Sequence, residues 1–144
     1  MELPVFDLNN SQNWKLTFNQ ERVATTTETG VIVAIAAFEL ITPLTEHILA
    51  VRCTSKTAKP HWRYAGNLIQ RVNLGLGIPT ADATTVRMPL NRVTLIRFPH
   101  LSNEYELNFI PAYWLTQIRL TVWKYTGVVK TVTSKQYQPL TTDN

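Results

Sequence analysis

The side chains able to make or break bonds are few in this sequence and stand apart from one another. A hydrolase or transferase needs a nucleophile, a base and a group that stabilises developing charge, all brought to one place. The four serines, Ser11, Ser55, Ser102 and Ser134, sit in polar loop contexts, and none lies in the G-x-S-x-G turn that exposes a nucleophilic hydroxyl. Cys53 is the single cysteine; it alternates with Leu49 and Val51 and reads as a small buried hydrophobe without a disulfide partner in its own chain. Glu104 and Glu106 share one face of an extended segment, about 6.5 to 7 Å apart by strand geometry, a spacing that suits an acid and base across a glycosidic bond. A charged outer face opposite Tyr105, Leu107 and Phe109 accounts for the same pair without catalysis. His47, His61 and His100 are scattered and lack the close Cys or His pairs of structural zinc. Gly75-Leu76-Gly77 has neither the third glycine nor the lysine of a phosphate-binding loop. The reading is therefore a protein that is not an enzyme, with no catalytic, metal or cofactor-binding residue assigned and no cofactor.

Charge placement is more informative. Residues 1–46 hold six acids and two bases, whereas residues 47–103 hold eight bases and the single acid Asp82. Arg52, Lys56, Lys59 and Arg63 form the candidate basic patch, continued by Arg71, Arg87, Arg92 and Arg97 and interleaved with Trp62 and Tyr64. Such a stretch binds a polyanion through phosphate contacts and stacking, with steep salt dependence. The alternative is solvated strand faces, or pairing with the acidic first third of the same or a neighbouring subunit. Net charge is only +4 and no RNA-binding or OB-type aromatic motif is present, so nucleic acid ranks behind other partners. Tyr113, Trp114, Trp123 and Tyr125 flank the strongest strand and offer a sugar-stacking platform. Aromatic residues on alternating strands more often serve a core or a subunit interface. Phe38, Trp62, Tyr113, Trp114, Trp123 and Tyr125 are accordingly the candidate interface.

These residues must be positioned by strands. The chain consists of short segments rich in Val, Ile, Thr, Tyr and Trp, broken by Pro, Gly and Asn. Trp14, Leu16 and Phe18 alternate with Lys15 and Thr17, which predicts a strand with one face buried, followed by a polar-faced strand over residues 22–27. Residues 31–38 lack polar alternation and predict a strand covered on both faces or lying in a subunit contact. Further strands are expected over 47–54, 67–74, 85–88, 92–98, 105–109, 115–125 and 128–133. In the strand over 115–125, Ile118, Leu120 and Val122 form one face and Gln117, Arg119, Thr121, Trp123 and Tyr125 the other. Eight to ten strands without a 20 to 50 residue repeat predict an all-β, antiparallel two-sheet sandwich of jelly-roll-like form, with a β-barrel as runner-up.

At 144 residues, 44% hydrophobic and 17% charged, the chain is expected to form one β-sandwich domain over residues 1–144 with flexible N- and C-terminal ends. No apolar run approaches the roughly 20 residues of a membrane span, and Glu2 stands where a signal peptide carries base. Asn9-Asn10-Ser11 formally matches a glycosylation acceptor, which carries meaning only in a secretory context.

The segment Pro111-Ala112-Tyr113-Trp114-Leu115-Thr116-Gln117-Ile118-Arg119-Leu120-Thr121-Val122-Trp123-Lys124-Tyr125-Thr126-Gly127 resembles the closing strands of small β-sandwich structural proteins of tailed-bacteriophage virions. The resemblance covers the last third specifically and the remainder only as an all-β, threonine-rich chain. It implies a homo-oligomer attached to other virion proteins, as a tail, baseplate, collar or fibre adaptor or as capsid decoration, located in a virion assembled in the host cytoplasm. The chain departs from fibre-shaft proteins in lacking collagen-like, coiled-coil and β-helical repeats. A carbohydrate- or receptor-binding module engaging a surface glycan is the competing expectation, and a nucleic-acid-binding domain over residues 52–97 the third.

Overall fold

Alternation of apolar and polar residues builds extended chain wherever one face can be buried. The computed structural model describes residues 4–35, 37–42, 47–73, 83–98 and 104–127, and among these it contains ten strands and no helix. They are β1 (Trp14–Val23), β2 (Thr25–Thr26), β3 (Ile32–Ala34), β4 (Phe38–Thr42), β5 (His47–Ser55), β6 (Tyr64–Asn73), β7 (Ala83–Pro89), β8 (Val93–Phe98), β9 (Glu104–Pro111) and β10 (Gln117–Tyr125).

Eight of these form two four-stranded sheets, ordered β1-β10-β5-β8 and β4-β9-β6-β7, with every neighbouring pair antiparallel. With the small β2-β3 ribbon set aside and the rest counted 1 to 8, the orders read 1-8-3-6 and 2-7-4-5, the interleaved double Greek key of a jelly roll. Among the described residues both sheets are open, as in the expected sandwich and not the barrel.

The core lies between the sheets. Leu49, Val51, Cys53, Ile96, Ile118, Leu120 and Val122 face Phe38, Leu68, Met88, Leu107 and Phe109, all buried. Burying side chains of this size stabilises by about 1.5 to 3 kcal/mol each. The expected division of β10 holds, with Ile118, Leu120 and Val122 in this core.

The outer face of the first sheet carries a second apolar cluster of Trp14, Ile48, Ala50 and Trp123. Residues preceding β1 lie over it. Phe6 packs 5.1 Å from the Trp14 ring and 4.8 Å from Trp123, and the Trp14 indole N–H donates to the Val5 carbonyl at 3.2 Å. Val5 and Phe6 thus lay the segment before β1 over this outer face.

Three local expectations need correction. Trp14, Leu16 and Phe18 do not share a buried face: Leu16 is exposed, Trp14 lies in the outer cluster and Phe18 packs on the inner core. A register shift between Leu16 and Phe18 inserts Thr17, so Leu16 opposes Trp123 while Phe18 opposes Val122. One extra residue exchanges the faces. The polar strand expected over 22–27 is divided, because Arg22 and Val23 complete β1 and only Thr25 and Thr26 form β2. Residues 31–38 are not one doubly covered strand. β3 pairs with β2 alone and leaves Val31 and Val33 at 60% and 59% exposure, whereas Phe38 begins β4 and is fully buried. An apolar run records hydrophobicity without stating what covers it. The expected strand over 128–133 lies outside the described residues.

Candidate functional site

Four connections gather at the end of the sandwich where β1, β5, β7 and β9 finish. The chain after β5 and the chain after β9 meet where Ala112 N–H donates to the Ala65 carbonyl at 2.8 Å and the Thr116 hydroxyl donates to Thr57 Oγ1 at 3.1 Å. The β7–β8 turn joins them, with Leu90 N–H on the Arg63 carbonyl at 2.8 Å and Asn91 N–H on the Cys53 carbonyl at 2.9 Å. The segment leaving β1 is tied in by Ala24 N–H on the Thr116 carbonyl at 2.7 Å.

Gly66 makes the close approach possible. Its φ of +144° is poorly accessible to other residues, and a Cβ there would run into the Ile110 carbonyl oxygen and Pro111. A register shift between Tyr64 and Gly66 leaves Ala65 buried and Tyr64 against the neighbouring aromatic rings.

Those rings form a cluster centred on Trp114. Its ring lies 6.3 Å from Trp62, 5.9 Å from Tyr64 and 4.8 Å from Tyr113, in edge or tilted contacts. His61 adds an edge contact to Trp62 at 6.2 Å. Cations occupy two faces: Arg87 Cζ stands 3.8 Å from the Tyr64 ring centre and Lys59 Nζ 5.9 Å from that of Trp62. Tyr113 is the outermost ring, 72% exposed. The Trp114 indole nitrogen is buried without a hydrogen-bond partner.

A polar pocket of about 120 Å³ lies on the outer face of the first sheet, lined by Glu21, Thr54, Ser55, Lys56, Gln117 and Arg119. Glu21 accepts from Gln117 Nε2 at 3.2 Å and pairs with Arg119 at 3.5 Å and Lys56 at 3.7 Å. The Gln117 hydrogen bond, aided by the two cations and opposed by desolvation, holds the Glu21 carboxyl below its ordinary value.

The structure therefore divides the residues singled out from sequence. Trp62, Tyr113 and Trp114 come together, joined by Tyr64 and Arg87. Trp123 and Tyr125 lie on the outer face of the first sheet, with Trp123 buried beneath Phe6 and Arg52 Cζ 4.9 Å over its ring. Phe38 is fully buried between the sheets, so its surface is already consumed within the chain. The four basic candidates separate: Arg52 covers Trp123, Lys56 pairs with Glu21, and Lys59 and Arg63 border the aromatic cluster, with Arg63 donating to the Pro60 carbonyl at 2.8 Å. Pairing between the acidic first third and the basic middle is seen, among the described residues, between Glu21 and Lys56.

The Arg87–Tyr64 stack was invisible in sequence because it depends on the β6–β7 register, in which Asn67 opposes Arg87 and Tyr64 opposes Pro89. Of the residues weighed for chemistry, Cys53 is fully buried and its thiol is pushed up to about 12 by desolvation. Glu106 accepts from Asn108 Nδ2 at 2.7 Å, and the Glu104 side chain lies outside the described residues. Among the described residues, no three His, Cys, Asp or Glu side chains are grouped to hold a metal ion, and no helix is long and apolar enough to cross a membrane. No known protein-family model and no curated protein matches this chain.

Proposed function

We propose that this β-sandwich is a non-enzymatic structural protein of a tailed-phage virion, acting by self-association and attachment to other virion proteins. The observation that carries the reading is the β2–β3 ribbon. Among the described residues it pairs with neither four-stranded sheet, and Val31 and Val33 are exposed, as is Val23 at its root, at 64%. A two-stranded ribbon alone is at best marginally stable in water. Thr27 holds its tip, accepting the Val31 N–H at its hydroxyl and the Gly30 N–H at its carbonyl, but nothing within that hairpin covers the valines. Burial against a second copy removes them from water and fixes the ribbon. A stable contact of this kind removes well over ~1,000 Å² in total, so the ribbon serves as the anchor of a wider interface.

The setting rests on the likeness of residues 111–127 to virion β-sandwich proteins and on a jelly-roll architecture that also serves viral capsid and lectin domains. Val31 and Val33 replace Phe38 and Trp123 as anchors, since those two are spent inside the subunit. Sedimentation velocity of the full chain across a concentration series tests the mechanism. Association that is lost in Val31→Asp/Val33→Asp, with the strand signature in circular dichroism retained, supports it. A strict monomer that retains no virion protein in pull-down overturns it.

A further inference from the structure

We propose that the aromatic end of the sandwich is a binding site for an acidic polysaccharide, one whose sugars carry carboxylates. This inference is independent of the assembly reading and rests on other residues than the ribbon valines.

The charge at this end is unbalanced. Lys59, Arg63 and Arg87 border the ring cluster, and Arg92 sits on the adjoining β7–β8 turn; among the described residues none of the four forms an ion pair. Glu21, near the end of β1, is already engaged by Lys56 and Arg119. Arg87 Cζ lies 3.8 Å over the Tyr64 ring, and a guanidinium fork suits a carboxylate.

The donor set selects the ligand. A neutral sugar presents hydroxyls that need acceptors as well as donors, whereas Lys and Arg supply donors alone. An acidic sugar takes those donors through its carboxylate and lays its C–H face on Tyr113, which is 72% exposed. Single-stranded nucleic acid fits less well, because successive bases require successive free ring faces. Here Trp62 and Tyr64 each carry a cation of this chain, and Trp114 is surrounded by three other rings.

Isothermal titration of the full chain with polygalacturonate, dextran and oligo-deoxythymidylate decides the matter. Polygalacturonate should bind, dextran should not, and oligo-deoxythymidylate should bind more weakly than polygalacturonate at equal salt. Tyr113→Ala and, separately, Lys59→Gln/Arg63→Gln should each weaken polygalacturonate by about tenfold, the latter also flattening its salt dependence. These side chains lie at the surface, and circular dichroism checks that each variant is folded. Absence of binding to polygalacturonate, equal binding of dextran, tighter binding of the oligonucleotide, or unchanged affinity in folded Tyr113→Ala would each overturn the proposal.

Discussion

The two sheets of this sandwich share an inner core but treat their outer faces in opposite ways. On the first sheet, Ile48, Ala50, Trp14 and Trp123 are buried under the segment that carries Phe6. On the second, Glu39, Thr85 and Arg87 are exposed, and Ile110 is 49% exposed with no such cover among the described residues. Both sheets alternate in the same manner, so alternation alone does not state how many faces are dry. A strand such as β10, with Leu120 and Val122 inward and Trp123 outward, is apolar on both sides because two separate layers cover it.

The contrast can be tested by removing one group from each layer. Phe109→Ala, between the sheets, should cost about 3 to 5 kcal/mol in denaturant unfolding, since a fully buried ring leaves a cavity that a sheet cannot collapse to fill. Phe6→Ala should cost less, about 1 to 2 kcal/mol, because this ring is only half-buried, and it should shift the emission of Trp14 and Trp123 to the red. Equal losses for the two would make the outer cluster a second core instead of a covered face. Ile110→Thr, on the bare outer face of the second sheet, should change stability by less than about 0.5 kcal/mol. A larger loss would mean that this face is covered too.

The smallest effect belongs to the polar end of the first sheet's outer face. The Glu21 carboxyl is held below its ordinary value of 4.5, so its contribution is complete above that value and disappears as pH falls through the lower folded value. Glu21→Gln should therefore be slightly less stable than the parent at neutral pH, with the difference vanishing in acid. Unfolding midpoints across pH read this directly, and a difference that persists in strong acid would place the effect in packing.

Much of the architecture was legible in local pattern. The division of β10 into two faces, the strands around Val51 and Leu107, and the buried character of Cys53 all follow from period-2 alternation over a few residues. The errors arose where a local pattern met a nonlocal event. Thr17 turns Phe18 inward through one inserted residue, and the run 31–38 divides between an exposed ribbon and a buried Phe38.

The candidate site was legible only as ingredients. Trp62, Trp114, Lys59 and Arg63 were recognisable as types, but grouping them with Tyr64 and Arg87 required connections far apart in sequence to meet at one end.

By itself, the sequence determined that this chain is extended, alternates in hydrophobicity and carries its bases after its acids, because propensity and composition act within a few residues. Tertiary structure alone decided which apolar face lies inside, which is covered by the segment carrying Phe6, and which cations border the aromatic cluster. Strand pairing and loop convergence join residues whose separation along the chain leaves no local trace.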